Sequence, residues 1–233
     1  MQINLLLAIS VICLSAACQS SSSPSVPSQP QTQTSVSEQK LRSVEGQTLK
    51  SDAMPAVNLK FDDDFKYVGG QDFILYDVAR AEQHFFVDAD AQGRIKRLYW
   101  IQFEGYLPSN NHTYDYKIRK SVNIGGLDFI ADAYARNIKA DPGRPDSDGS
   151  RARTFLETKG FRIPSNEVIS QRLVHMVDDS KRSELMVIYL EDLGRMKLTA
   201  AALEPGGAAA ARWDDISGKL LERALKGMKV SKR

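Results

Sequence analysis

The chain has 233 residues, of which 42% are hydrophobic and 26% charged, and its formal net charge is +2 at pH 7. These fractions are typical of a soluble globular protein, and the interleaving of acidic and basic residues excludes the one-sided positive charge of a nucleic-acid-binding protein. Both cysteines, Cys13 and Cys18, lie near the N-terminus. The rest of the chain therefore holds neither a disulfide framework nor a thiolate metal site.

The N-terminus is a mostly apolar run, Ile3 to Ala17, whose last three residues are small. A membrane-spanning helix needs about 20 apolar residues, so this run is too short to cross a bilayer. The residues after Cys18 are polar and include no basic stop-transfer flank. The pattern predicts a secretory signal peptide over residues 1–17.

Cys18 stands directly after the small residues Ser15-Ala16-Ala17. This ending resembles the lipobox of bacterial lipoprotein precursors, although Ser15 occupies the position where that motif usually has Leu. In that family the cysteine sulfur receives a diacylglycerol group, a peptidase cuts before the cysteine, and full processing adds a further acyl chain such as palmitate. The resemblance implies that lipid on Cys18 anchors the protein in a membrane. Because Gln19 rather than Asp follows the cysteine, it also implies the outer membrane, with the protein facing the periplasm.

An ordinary signal peptide, cut after Ala16 or Ala17, is the alternative interpretation. It would leave Cys18 as an unpaired thiol in an oxidising compartment, where such a thiol is reactive. Acylation of Cys18 removes this liability, so the sequence favours the lipoprotein.

The stretch from Gln19 to Ser37 contains only Ser, Thr, Pro and Gln, apart from Val26 and Val36. A segment of this composition cannot bury a core and is predicted to be disordered. Residues 18–40 are thus expected to be a lipidated tether with a root-mean-square reach of roughly 25 Å. Residues 41–233 have the length of one globular domain.

Alternating hydrophobicity predicts the first strands of this domain. Asp72–Val78, His84–Asp88 and Arg94–Glu104 are interpreted as three antiparallel strands in a meander, and a fourth short strand is expected within Leu107–Lys120. After them, apolar residues at three-to-four spacing predict a helix from Ile124 to about Ala140.

The second half of the domain is predicted to contain a hairpin, a short helix after Thr199 and a long helix. Glu167–Val177 and Ser183–Glu191 form the hairpin, and the second of these strands is expected to be central because it is apolar on both faces. An apolar stripe predicts a helix over Arg212–Met228 that covers the sheet. The fold class is therefore α+β, with a curved antiparallel sheet of about five to six strands and two main helices packed on one face.

The sequence shows no metal-binding spacing and no cofactor motif. The three histidines, His84, His112 and His175, are far apart in the sequence. Two acidic runs, Asp62–Asp64 and Asp141–Asp148, are interpreted as solvated loops rather than calcium sites, since the second lacks the closing Glu of an EF-hand.

Aromatic residues are dense around the predicted third strand. Tyr99, Tyr106, Tyr114 and Tyr116 could line a pocket for a small ligand, or they could simply fill the core. Beside them, Glu104 with His112 or Asp115 could form a general acid–base pair, the separation of which the sequence leaves open.

The sequence therefore predicts the cellular location of the protein more firmly than its biochemical function. The first hypothesis is a membrane-anchored envelope lipoprotein whose domain binds a small ligand or a protein partner, with no identifiable reaction. The second is a periplasmic hydrolase that uses Glu104, His112 or Asp115.

Overall fold

The computed structural model describes residues 41–117 and 120–233. The predicted signal peptide, Cys18 and the tether lie outside the described residues. Both sheets and both hydrophobic cores are built from residues within 42–232, so this unit contains what a domain needs to fold independently. Among the described residues, no helix is long and apolar enough to cross a membrane.

The described residues form mainly antiparallel strands, with three α-helices among them. The elements in chain order are β1 (Arg42–Glu45), β2 (Thr48–Ser51), β3 (Val57–Phe61), β4 (Lys66–Leu75), β5 (Ala79–Ala89), β6 (Ile95–Tyr106), β7 (Ser121–Ile124), β8 (Leu127–Asn137), α1 (Asp148–Thr158), β9 (Glu167–Met176), β10 (Ser183–Asp192), α2 (Ala200–Leu203), α3 (Trp213–Lys226) and β11 (Met228–Lys232).

These strands make two sheets. The small sheet has the order β1-β2-β3-β11, and the large sheet has the order β4-β5-β6-β10-β9-β8-β7. All the strand pairs in both sheets are antiparallel. Strand β10 lies at the centre of the large sheet, between β6 and β9.

Each face of the large sheet belongs to a different hydrophobic core. The small sheet and α3 pack with one face, where Phe86, Tyr99 and Leu220 are fully buried. Helix α1 packs with the other face through Ala152 and Leu156. We call the first face the α3 face and the second the α1 face.

Several predicted elements are confirmed. The three-stranded meander is β4–β5–β6, and the predicted hairpin is β9–β10. The long helix is α3, and the short helix α2 begins at Ala200 with Thr199 accepting a hydrogen bond from the backbone N–H of Ala202. These elements have strong local signals: two-residue or three-to-four-residue periodicity and an N-terminal cap.

The helix expected from Ile124 to Ala140 is wrong, because this segment is the hairpin β7–β8. Gly125 and Gly126 form its turn with φ values of +61° and +80°, and glycine adopts such values without steric cost. A Cβ on Gly125 would lie 2.0 Å from the carbonyl oxygen of Val230, so a larger residue does not fit there. The three-to-four spacing that suggested a helix combined residues from opposite faces of β8.

Three further expectations are corrected. No strand forms between Leu107 and Lys117, where the backbone makes only scattered hydrogen bonds and the side chains of Tyr114 and Tyr116 bind to the sheet. The strands form two sheets rather than one of five to six strands, and the main helices α1 and α3 lie on opposite faces. No sequence pattern predicts helix α1, since its apolar side consists of only Ala152, Phe155 and Leu156.

Candidate functional site

A row of hydrogen-bonded glutamines crosses the large sheet on its α1 face. Gln71 of β4 donates from Nε2 to Oε1 of Gln83 at 2.7 Å, and Gln83 donates in the same way to Gln102 at 2.7 Å. Gln102 then donates to Oε2 of Glu104 at 2.5 Å. Gln83 and Gln102 are both fully buried. The row therefore leads from an edge strand to a carboxyl group near the middle of the sheet.

Glu104 faces a second glutamate on the neighbouring strand. Glu184 of β10 is its direct register partner, and Glu184 is buried. Burial raises the pKa of both carboxyl groups, and the nearby charge of Glu104 adds to the rise at Glu184, where the pKa reaches about 8. Glu184 therefore keeps its proton at neutral pH.

Two tyrosines from the segment after β6 bind these carboxyl groups. Tyr114 donates from its hydroxyl to Oε1 of Glu104 at 2.8 Å, and Tyr116 donates to Oε2 of Glu184 at 2.8 Å. Burial is the main cause that raises the pKa of both tyrosines. We call Glu104, Glu184, Tyr114 and Tyr116 the glutamate–tyrosine cluster.

Three of the four tyrosines proposed for ligand binding come together here. Tyr106 stacks on Tyr114 with ring centroids 4.5 Å apart, and the ring of Tyr116 lies 6.5 Å from that of Tyr114. Tyr99 lies on the opposite, α3 face, where it is fully buried and donates to the backbone carbonyl oxygen of Ala224 at 2.7 Å. Tyr99 is thus separated from the other three by the sheet.

The three catalytic candidates are not joined by contacts. Glu104 is bound by Gln102 and Tyr114, whereas Asp115 is exposed and pairs with Lys117. The ring of His112 lies 5.6 Å from that of Tyr106 and contacts neither carboxylate. The carboxyl group that does face Glu104 is that of Glu184.

The remaining candidate groups have local partners. His84 lies within hydrogen-bond distance of Tyr67 and Glu82, and His175 lies within that distance of the carbonyl oxygen of Asp128. Three residues of the acidic runs pair with arginines: Asp64 with Arg97, Asp141 with Arg136 and Asp146 with Arg144, each at 2.8 Å. Within residues 41–117 and 120–233, no group of three or more His, Asp or Glu side chains is arranged to hold a metal ion.

A cleft of about 280 Å³ opens on the same face, between α1 and the sheet. Its floor comes from β6, β10, β9 and β8, and its roof is the side of α1 that carries Gly149, Ala152, Arg153, Leu156 and Glu157. On its other side, α1 packs closely against the sheet, with the ring of Phe155 stacked on that of Phe85 at 5.1 Å. The cleft exists because α1 covers only part of the width of the sheet.

The walls of the cleft are apolar inside and charged at the mouth. Leu98 and Trp100 lie on the floor, and the indole N–H of Trp100 is buried without a hydrogen-bond partner. Tyr134 also lines the cleft and is hydrogen-bonded to Ser170, and burial is the main cause that raises its pKa. Such a cavity, with a few polar groups among apolar ones, is typical of small-ligand sites.

Sequence reasoning missed Glu184 and the cleft. Glu184 had a usable signal, since it is a charged residue directly before the apolar run Leu185–Leu190, which was expected to be covered on both faces. The cleft had none, because it depends on where α1 crosses the sheet. Comparison with protein-family models, with curated proteins and with solved structures finds no match to this chain.

Proposed function

We propose that this chain is an envelope lipoprotein, anchored through lipid on Cys18, whose domain binds a small ligand in the cleft beneath α1. The cleft is the observation that carries the binding proposal. It is concave, it is lined by buried apolar side chains, and its volume of about 280 Å³ lies close to the lower end of the roughly 300–1,000 Å³ that small-ligand pockets occupy.

The anchor rests on the residues around Cys18. A single acyl chain holds a protein at a membrane only marginally, whereas two or more hold it stably. Lipid on Cys18 and a tether of roughly 25 Å would keep the cleft close to the periplasmic side of the outer membrane.

The alternative, a periplasmic hydrolase, has weaker support. Its best feature is the pair formed by Glu104 and Glu184, whose raised pKa values suit a general acid. Both carboxyl groups are nevertheless bound by tyrosines. A substrate would have to displace these hydroxyls, so ligand binding is the favoured function.

The anchor is tested by replacing Cys18. In cells fed a radiolabelled fatty acid, the wild-type protein is expected to take up label and to fractionate with the outer membrane. Cys18→Ser should remain unlabelled and uncleaved. Unlabelled wild-type protein, or a Cys18→Ser protein of mature size in the membrane fraction, would contradict the lipoprotein proposal.

The binding proposal is tested with N-phenyl-1-naphthylamine, an uncharged apolar fluorophore, and a soluble form of the chain that begins at Gln39. The chain has two tryptophans, and Trp213→Phe leaves Trp100 as the only one. Saturable quenching of Trp100 emission by the fluorophore is expected. Quenching that rises linearly, without saturation, would overturn binding in the cleft.

A further inference from the structure

We infer that the ligand of the cleft is a small single-chain amphiphile with a carboxylate head, held with its apolar body under α1 and its carboxylate at the mouth. This inference rests on the proposed function and deepens it. It follows from the composition of the inner walls, from the charges at the mouth and from the volume.

The inner walls of the cleft favour a ligand with an apolar body. Leu98 and Trp100 of β6, Leu156 of α1 and Val168 of β9 all line the cleft, and all four are less than 9% exposed. Burying an aliphatic chain against them is favourable, because it removes apolar surface from water. The walls offer no comparable gain to a sugar or to another strongly hydrated molecule.

The charges at the mouth of the cleft favour a ligand with a negative head group. Three arginines line the cleft. Two of them form no salt bridge with any carboxylate of the described residues. Arg136 donates to Asp141 at 2.8 Å, but Arg153 donates to the neutral carbonyl oxygen of Ile138 at 2.9 Å. Arg162 is exposed and has no ion-pair partner in the part of the chain that the structure describes.

Both arginines line the cleft and can donate hydrogen bonds to a carboxylate there. A guanidinium has five N–H donors, so Arg153 keeps free donors beside its bond to Ile138. The backbone of Arg162 is held in place, since its N–H donates to the carbonyl oxygen of Gly93 at 3.0 Å and its carbonyl oxygen accepts from Ile95 at 2.8 Å. Glu157 also lines the cleft, and its negative charge would oppose a second anionic group on the ligand. A monocarboxylate therefore fits the mouth best.

The volume sets the size of the ligand. A cavity of about 280 Å³ accommodates one short chain, whereas a diacyl phospholipid requires far more space than the roughly 300 Å³ at the lower end of ligand pockets. Octanoate is thus a suitable probe. Octanol has the same chain without the charge, and octyltrimethylammonium has the opposite charge.

The inference is tested by titrating these three probes into the Trp213→Phe form of the soluble chain and by measuring the emission of Trp100. Octanoate should bind about tenfold more tightly than octanol, since a charge-assisted hydrogen bond is about twice as strong as a neutral one. Octyltrimethylammonium should bind more weakly than either. Equal binding of octanoate and octanol would overturn the carboxylate head while leaving the apolar cleft intact.

Matched variants locate the head group. Arg162→Gln and Arg153→Gln should each reduce the affinity for octanoate several-fold and leave the affinity for octanol unchanged. Arg212→Gln removes an exposed arginine beside α3 and should change neither. If octanoate binds as tightly to both cleft variants as to the parent, the assignment of the mouth is wrong. If neither octanol nor N-phenyl-1-naphthylamine binds, the proposed function fails together with this inference.

Discussion

The two faces of the large sheet are filled in different ways. On the α3 face, aromatic rings such as Phe61, Phe86 and Tyr99 pack with centroids 4.3–4.8 Å apart beneath the small sheet. On the α1 face, buried glutamines and two facing glutamates share the surface with a cleft. Aromatic packing is the main feature of the first face, whereas the second face combines the apolar cleft with two facing glutamates. The α1 face is therefore the place to look for function.

The largest expected difference between the faces comes from matched leucine truncations in the two helices. Leu220→Ala in α3 should lower the free energy of unfolding by about 3–5 kcal/mol, because it leaves a cavity in a closed core. Leu156→Ala in α1 should cost only about 2–3 kcal/mol, because Leu156 already borders the cleft. Urea denaturation checks both values. Equal losses would mean that the two faces are equally well packed.

The second prediction concerns pH and the glutamate–tyrosine cluster. The pKa of Glu184 rises from about 4.5 in the unfolded chain to about 8 in the folded protein. Between these values the unfolded chain loses a proton that the folded protein keeps, so stability should fall as pH rises, by up to about 1.4 kcal/mol per pH unit for this group. Above pH 8 its contribution should be constant.

Glu184→Gln should flatten this decline, and Glu222→Gln provides the control. Glu222 is an exposed residue of α3, so its replacement should leave the wild-type slope unchanged. The measurement is the free energy of unfolding in urea at intervals from pH 5 to pH 8. A wild-type slope in the Glu184→Gln protein would show that this carboxyl group ionises normally.

The smallest effects are expected from the tyrosine hydroxyls that bind the carboxyl pair. Tyr114→Phe and Tyr116→Phe each remove one hydrogen bond, and each should lower the free energy of unfolding by about 1–2 kcal/mol. Because Glu104 accepts from Tyr114, Tyr114→Phe should also raise the pKa of Glu104 further. Carboxyl titration followed by NMR checks the shift, and an unchanged pKa would show that the Tyr114 hydroxyl does not stabilise the Glu104 carboxylate.

Local signals in the sequence predicted one face of the sheet better than the other. The packing of α3 on the sheet was predicted from two patterns, each of which arises within one element. One is the apolar stripe of Ile216, Leu220 and Ala224, and the other is strand β10, which is apolar on both faces. The β7–β8 hairpin was mistaken for a helix, although Gly125-Gly126 is a common hairpin turn.

The α1 face could not be predicted in the same way. Tyr106, Tyr114 and Tyr116 were identified as a group, because they are close in sequence. Glu104 and Glu184 meet only through the register of β6 and β10, which no local pattern specifies. The cleft depends on the position of α1, a helix whose few apolar residues gave a weak periodic signal.

The most direct test of the α1 face as the binding face is an NMR titration of the chain from Gln39 with octanoate. Backbone amide signals of Gly149, Ala152 and Phe161, which line the cleft, should shift in a saturable manner. Signals from α3, such as those of Ile216 and Leu220, should remain in place. Saturable shifts centred on α3, or no saturable shifts at any residue, would contradict the account.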